Sequence, residues 1–189
     1  MAYGVVHTTN VLGAKPMSFI SKSTDLENGF FVTKGALAEN ERELFEALQP
    51  TTATLVERAY LVANPATGDA FNLRADAHNE DNFINKQGIA FRAYGLEADN
   101  KIRVTEYILD GDVEEGNLVT LANGSYKLVA APVASVNVAD FGFVGKIDLI
   151  DEMGYFYPIG QFGSSTNGDV PGEDTRVRMV TISVIKNGQ

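Results

Sequence analysis

Four groups of residues have types and spacing that could do chemistry. The first is Asp110, Asp112, Glu114 and Glu115, in the run DGDVEEG. Paired carboxylates can exchange protons with a substrate or bind Ca²⁺. A calcium loop of the EF-hand kind needs acids continuing at alternate positions, a central glycine and a late bidentate glutamate. Here Gly111 and Gly116 fall at the wrong places and the run is too short. An acidic turn between strands accounts for it more simply, since Asp-Gly tolerates positive φ. The second group is Asp76, His78, Glu80 and Asp81 (DAHNED), a mixed N/O set that could ligate a metal. The chain has two histidines, His7 and His78, and they are too far apart in sequence for a helical pair of ligands. A solvated loop is the simpler reading. The third is Ser164-Ser165 after Gly163, which does not match G-x-S-x-G and would have to draft His7 or His78 as its base. No phosphate-cradling glycine loop follows a strand. The fourth is aromatic. Tyr155, Phe156, Tyr157 and Phe162 surround Pro158 and Gly160. Exposed, Tyr155, Tyr157 and Phe162 could stack on a sugar or anchor a protein. The plainer reading makes Phe156 core and the tyrosines a sheet-edge cover. No catalytic residue, metal ligand or cofactor is assigned from these patterns.

The elements that must position such residues follow from length and composition. A chain of 189 residues with 44% hydrophobic and 10% aromatic residues buries roughly 70% of its unfolded surface, enough for one real core. That excludes a disordered chain. The absence of cysteine excludes disulfides, thiolate catalysis, Fe–S clusters and Cys-type zinc sites. No apolar run approaches about 18 residues, so no membrane span is expected. Met1-Ala2-Tyr3-Gly4 does not open a basic region and a long apolar core, so no signal peptide is expected. The net charge is −10 and every quarter of the chain is net negative. An evenly acidic surface repels phosphate backbones, which argues against direct nucleic-acid binding.

Along the chain, residues 1–24 carry Lys15 and Lys22 and no acid before Asp25. Short apolar pairs alternate there with Gly, Thr, Asn and Pro and show no helical period. This predicts an extended N-terminal arm, with a short strand near Met17–Ile20, ahead of a β-rich domain over 25–189. The basic head either docks on an acidic partner or is a loose terminus. Asn40–Leu48 (NERELFEAL) predicts one short helix, with Asn40 as N-cap and Glu43 completing a capping box. Leu55–Ala63 suits either state and is read as a strand. Residues 64–88 form a long polar loop or sub-boundary, of the length that often docks something. Strands are expected at Ile89–Tyr94, Lys101–Ile108, Leu118–Leu121, Tyr126–Ala130, Phe143–Ile150, Gly154–Ile159 and Arg176–Ile185. Asn123-Gly124 is a hairpin signal between two of them. Short strands at about 8–12-residue spacing predict a mainly β fold, barrel- or sandwich-like.

Over residues 32–63 and 89–187 the order of segments resembles a known class. The stretches that carry it are GALAENERELFEALQPTTATLVERAYLVANP, FRAYGLEADNKIRVTEYILDGDVEEGNLVTLANGSYKL, FVGKIDLIDEMGYFYPIGQF and the closing RVRMVTISVIKNG. They look like the auxiliary head proteins of tailed bacteriophages, the decoration or cement type. The resemblance covers about three-quarters of the chain and includes no catalytic motif. It implies a non-enzymatic virion protein, a homo-oligomer bound to the major capsid protein on the outer face of the head, which it stabilises. Contacts are expected from apolar arm residues without a core period: Tyr3, Val5, Val6, Val11, Leu12, Met17, Phe19 and Ile20. The alternative is a surface module holding glycans on Tyr155, Tyr157 and Phe162.

Overall fold

The computed structural model of the chain describes residues 4–66, 80, 83–156 and 176–188. It is mainly β, as the strand spacing predicts. The strands are β1 (Val6–Asn10), β2 (Lys15–Ile20), β3 (Phe31–Leu37), β4 (Leu44–Leu48), β5 (Ala59–Val62), β6 (Ala90–Gly95), β7 (Lys101–Thr105), β8 (Leu109–Gly111), β9 (Leu118–Leu121), β10 (Leu128–Ala131), β11 (Phe143–Phe156) and β12 (Arg176–Asn187). Among the described residues the helical content is short 3-10 turns, such as Glu106–Ile108, Val133–Ser135 and Val138–Asp140. Strands β2-β4-β3-β5-β6 close into a barrel, and β1-β7-β12-β11-β9-β10-β8 form a seven-stranded sheet.

Barrel and sheet meet in a common core because two barrel strands, β3 and β5, bury apolar residues on both faces. In β3 and β5, Val32 pairs with Tyr60 and Phe31 with Leu61. Strand alternation sends Val32, Tyr60 and Val62 inward, where they meet Phe19, Ala47, Phe91 and Ala93. Phe31, Ala59 and Leu61 point the other way. They pack on Ile102, Val104, Val119, Leu121, Phe143, Ile147, Val180, Ile182 and Val184 of the sheet. All four residues of β5 are therefore buried. A strand covered on both sides has no polar alternation, which explains the ambiguity of the Leu55–Ala63 sequence. In β12 the even positions Val180, Ile182 and Val184 face this core, as period-two alternation predicts.

The predicted helix at Asn40–Leu48 is a strand. Leu44–Leu48 forms β4, antiparallel to β3 and parallel to β2. Asn40 has φ 63 and sits at the tip of the β3–β4 connection, where Ala38 N–H donates to Leu44 O at 2.8 Å. The capping-box pattern misleads here because asparagine also serves tight turns with positive φ. A nine-residue helix is marginal, whereas β4 gains a ladder on both sides.

The N-terminal segment is extended but is not a separate arm. β1 adds to β7 at the edge of the sheet, and β2 closes the barrel between β4 and β6. The apolar pairs lack a helical period because most belong to strands that serve two interiors in turn, Val6 beside the sheet core and Phe19 in the barrel, while Leu12 stays exposed in the turn between them. Val5 is 1% exposed and Phe19 0%. Pro16 is tolerated in β2 because β4 pairs only with Ser18–Ile20, so Pro16 has a strand neighbour on one side alone.

Three further segments differ in detail from the sequence reading. The strand expected at Lys101–Ile108 ends at Thr105, and Glu106–Ile108 is a 3-10 turn. Phe143–Ile150 and Gly154–Ile159 are expected as two strands hinged at 151–154. The structure instead runs β11 unbroken to Phe156, with a register shift between Asp151 and Tyr155 that absorbs the extra residues. Asn123-Gly124 does lie in the β9–β10 hairpin, but the first pair is Leu121 with Leu128, so the loop holds the residues between.

Candidate interaction surface

β11 and β12 have fourteen and twelve residues, while their outer neighbours β9 and β7 have four and five. The two long strands therefore outrun the sheet. β9 pairs with β11 only at Val144–Lys146, and β7 with β12 only at Met179–Ser183. Past Lys146 the open flank of β11 is met by the connection before β9. Gly116 N–H donates to Ile147 O (2.8 Å), Ile147 N–H to Asn117 O (2.9 Å) and Ile150 N–H to Glu115 Oε1 (3.0 Å). From Asp151 outward, the paired positions Asp151–Met179, Tyr155–Val177 and Phe156–Arg176 join the two strands only to each other among the described residues. Among the described residues the result is a two-stranded ribbon whose outer edges have no strand partner.

Charged pairs fasten the base of this ribbon. Arg178 forks onto Glu106, its Nε donating to Oε2 at 2.6 Å and its Nη2 bonding Oε1, and its Nη1 lies 3.5 Å from Glu152. Arg103 Nη2 donates to Asp151 at 2.7 Å, and Lys101 Nζ lies 3.2 Å from Asp148. Arg178 and Arg103 thus tie β12 and β11 to the Glu106–Ile108 turn and to β7. Each exposed pair is worth little alone, but the forked arginine fixes orientation.

Two large apolar side chains lie on the outer side of the same strands. Leu149 is 53% exposed and Ile185 47%. Leu149 pairs with Thr181, on the face opposite Val180 and Ile182. Alternation from buried Ile147 would send Leu149 into the core. A register shift between Ile147 and Leu149 turns it outward instead, so the sequence period hides it. Ile185 stands on the outward face already legible in the alternation of β12.

Asp148 is held below the ordinary aspartate range. The Ser183 hydroxyl donating to it is the main cause and Lys101 adds to it, against a smaller opposing effect of burial. Because its folded pKa is depressed, its stabilising contribution is complete above the unfolded value of about 4 and is lost as pH falls through the folded value. Asp148→Asn should therefore flatten the acid limb of a stability-versus-pH curve. Chemical denaturation across a pH series checks this, and an unchanged limb would contradict it.

The expected contact residues separate clearly. Val5 and Phe19 are core, Val6 and Val11 pack at its margin, Met17 packs against the barrel core, Ile20 is half-buried, and Leu12 is 80% exposed. Tyr3 lies outside the described residues. So do Tyr157 and Phe162 of the aromatic set, while Tyr155 is a backbone position of β11 opposite Val177. Of the carboxylate run, Asp110 lies 3.3 Å from Lys127 Nζ, Asp112 O accepts from Asn117, and Glu115 holds the Ile150 N–H. Glu80 bonds His7 Nε2 at 3.1 Å, while Asp76, His78, Asp81, Ser164 and Ser165 lie outside the described residues. Among the described residues no group of three or more acidic or histidine side chains could hold a metal ion.

A cavity of about 340 Å³ opens beside β1, lined by Val6, Thr8, Asn28, Asn64, Glu80 and Tyr94 among others. Its size is within the small-molecule range. Its two asparagines are engaged elsewhere. Asn28 Nδ2 donates to Asn64 O, and Asn64 Oδ1 accepts from the Arg92 N–H. The ribbon offers more recognition capacity than this cavity, through backbone edges, fixed charges and outward apolar side chains. No protein-family model, curated protein or solved structure matches the chain.

Proposed function

We propose that this is a structural protein that binds the major capsid protein lattice of a tailed bacteriophage and stabilises the head as a decoration or cement subunit. The observation that supports this reading best is the ribbon. Strand edges that outrun their sheet let a small subunit join another chain by backbone pairing, which gives affinity at low chain mass. Leu149, two residues before the ribbon begins at Asp151, would supply an apolar anchor beside it. The N-terminal residues Val5 and Phe19 then serve the fold, and the contact role passes to β11–β12 and to Leu12. Binding only the assembled lattice would stabilise the head by mass action. The acidic body favours the outer face, away from packaged phosphates.

The test is co-sedimentation of the purified protein with expanded heads of the phage that encodes it, lacking their own copies. The protein should pellet with the heads to a fixed, saturating ratio and raise the temperature at which they open. Recovery of all protein in the supernatant at saturating heads would contradict the proposal.

A further inference from the structure

The sequence contains four Asn-Gly pairs, at 28–29, 123–124, 167–168 and 187–188. In this dipeptide the backbone closes readily on the preceding side chain, because glycine has no Cβ to obstruct the approach. The glycine amide nitrogen loses its proton and attacks Asn Cγ. A new C–N bond closes a five-membered imide, the Cγ–Nδ2 bond breaks, and ammonia leaves with the proton. Water then adds to one imide carbonyl, the bond from that carbon to the ring nitrogen breaks and the nitrogen takes back a proton as an amide N–H. Aspartate results when the side-chain carbonyl is attacked, and a side-chain-linked isoaspartate when the main-chain carbonyl is attacked. Both products add a negative charge, and isoaspartate adds a carbon to the main chain.

Three of these pairs lie among the described residues and share one arrangement. Gly29 N–H donates to Val62 O, Gly124 N–H to Pro50 O and Gly188 N–H to Gly142 O, each at 2.8 Å. In each case the nitrogen that must attack keeps its proton on a carbonyl of a distant segment. The electrophile is fixed as well. Asn28 Oδ1 accepts from Asn64 N–H (3.0 Å) and Asn85 Nδ2 (3.2 Å), and its Nδ2 donates to Asn64 O (2.9 Å). Asn187 Oδ1 accepts from Ala59 N–H, and its Nδ2 donates to the carbonyls of Ala59 and Leu96, all at 2.9 Å. Asn123 is held more lightly, its exposed side chain accepting from Thr52 N–H at 2.9 Å.

We propose that the pairs at Asn28 and Asn187 are latent deamidation sites held shut by the native fold, with Asn123 the less protected comparison, so that an excursion from that fold is recorded as a permanent covalent change. Ring closure at Asn28 or Asn187 requires the glycine N–H and the side chain to be released together, which needs local or global opening. The change is also one-way in stability. A carboxylate at 187 can still accept from Ala59 N–H but has nothing to donate to the carbonyls of Ala59 and Leu96. At 28 the carbonyl of Asn64 loses its donor in the same way. Leu96 O keeps Arg58 Nη2 at 3.3 Å, but the carbonyl of Ala59, a fully buried residue, loses its side-chain donor, and an acceptor left short of donors there destabilises the refolded chain.

The test compares the intact native protein with the same protein in concentrated urea, at mildly alkaline pH and physiological temperature. Deamidation at each site is followed by peptide mapping with isoaspartate detection. Asn28 and Asn187 should react at least about tenfold more slowly in the native protein, with Asn123 the fastest of the three there. At intermediate urea the native-site rates should rise with the unfolded fraction read by circular dichroism. A native-to-urea difference short of tenfold at Asn28 and Asn187, or rates indifferent to the unfolded fraction, would overturn the proposal.

Discussion

Deleting residues 2–20 should unfold the protein outright, leaving no body that could be tested for binding. The deletion removes β1 from the edge of the sheet and β2 from between β4 and β6, so the barrel loses its closure and bares the edges of β4 and β6. It also removes Phe19, fully buried and packed on Tyr60 and Phe91 at ring distances of 5.1 and 6.3 Å. Losing one buried phenylalanine side chain costs about 3–5 kcal/mol, against a total stability of about 5–15 kcal/mol. Three lost ladders come on top. Circular dichroism and thermal melting check the outcome, and a cooperative melt in the truncated chain would contradict it. Leu12→Ala is the matched control. At 80% exposure it should change stability by no more than about 0.5 kcal/mol.

Phe31→Ala should produce the largest loss of any single substitution at the seam between barrel and sheet. Phe31 is 1% exposed, belongs to a barrel strand, and packs its ring 4.6 Å from that of Phe143 on the sheet. Truncation leaves a cavity between the two bodies, where neither can collapse without shifting a ladder. The expected cost is about 3–5 kcal/mol, with Phe31→Leu retaining most of the stability. Urea denaturation measures both. If barrel and sheet form one cooperative unit, the variant should still show a single transition with an unchanged slope. Two transitions would show that the shared core does not couple them.

Much of the architecture can be read from the sequence, and the exceptions have physical causes. β12 reads correctly over 180–185 because Val180, Ile182 and Val184 are buried and the residues between them are not, although Met179 is buried as well. β5 resists reading because both its faces are buried. Residues 40–48 read as a helix because capping residues and turn residues are the same chemical types, and only the ladder from β2 and β3 decides between them. The N-terminal segment reads as an arm because its apolar residues are divided between two interiors, a long-range fact absent from local spacing. The ribbon is half legible. The length of β12 shows in its pattern, but that β7 and β9 stop short is a matter of topology. Leu149 is hidden by the register shift at Ile147, which breaks the period the sequence displays.

The most direct test of the shell-binding account is hydrogen exchange of the protein free and bound to saturated heads. The account predicts new protection of backbone amides on the outrunning ends of β11 and β12, over residues 148–156 and 176–178, with barrel amides unchanged. Protection confined to the barrel, or a bound ribbon that exchanges as fast as the free one, would contradict it.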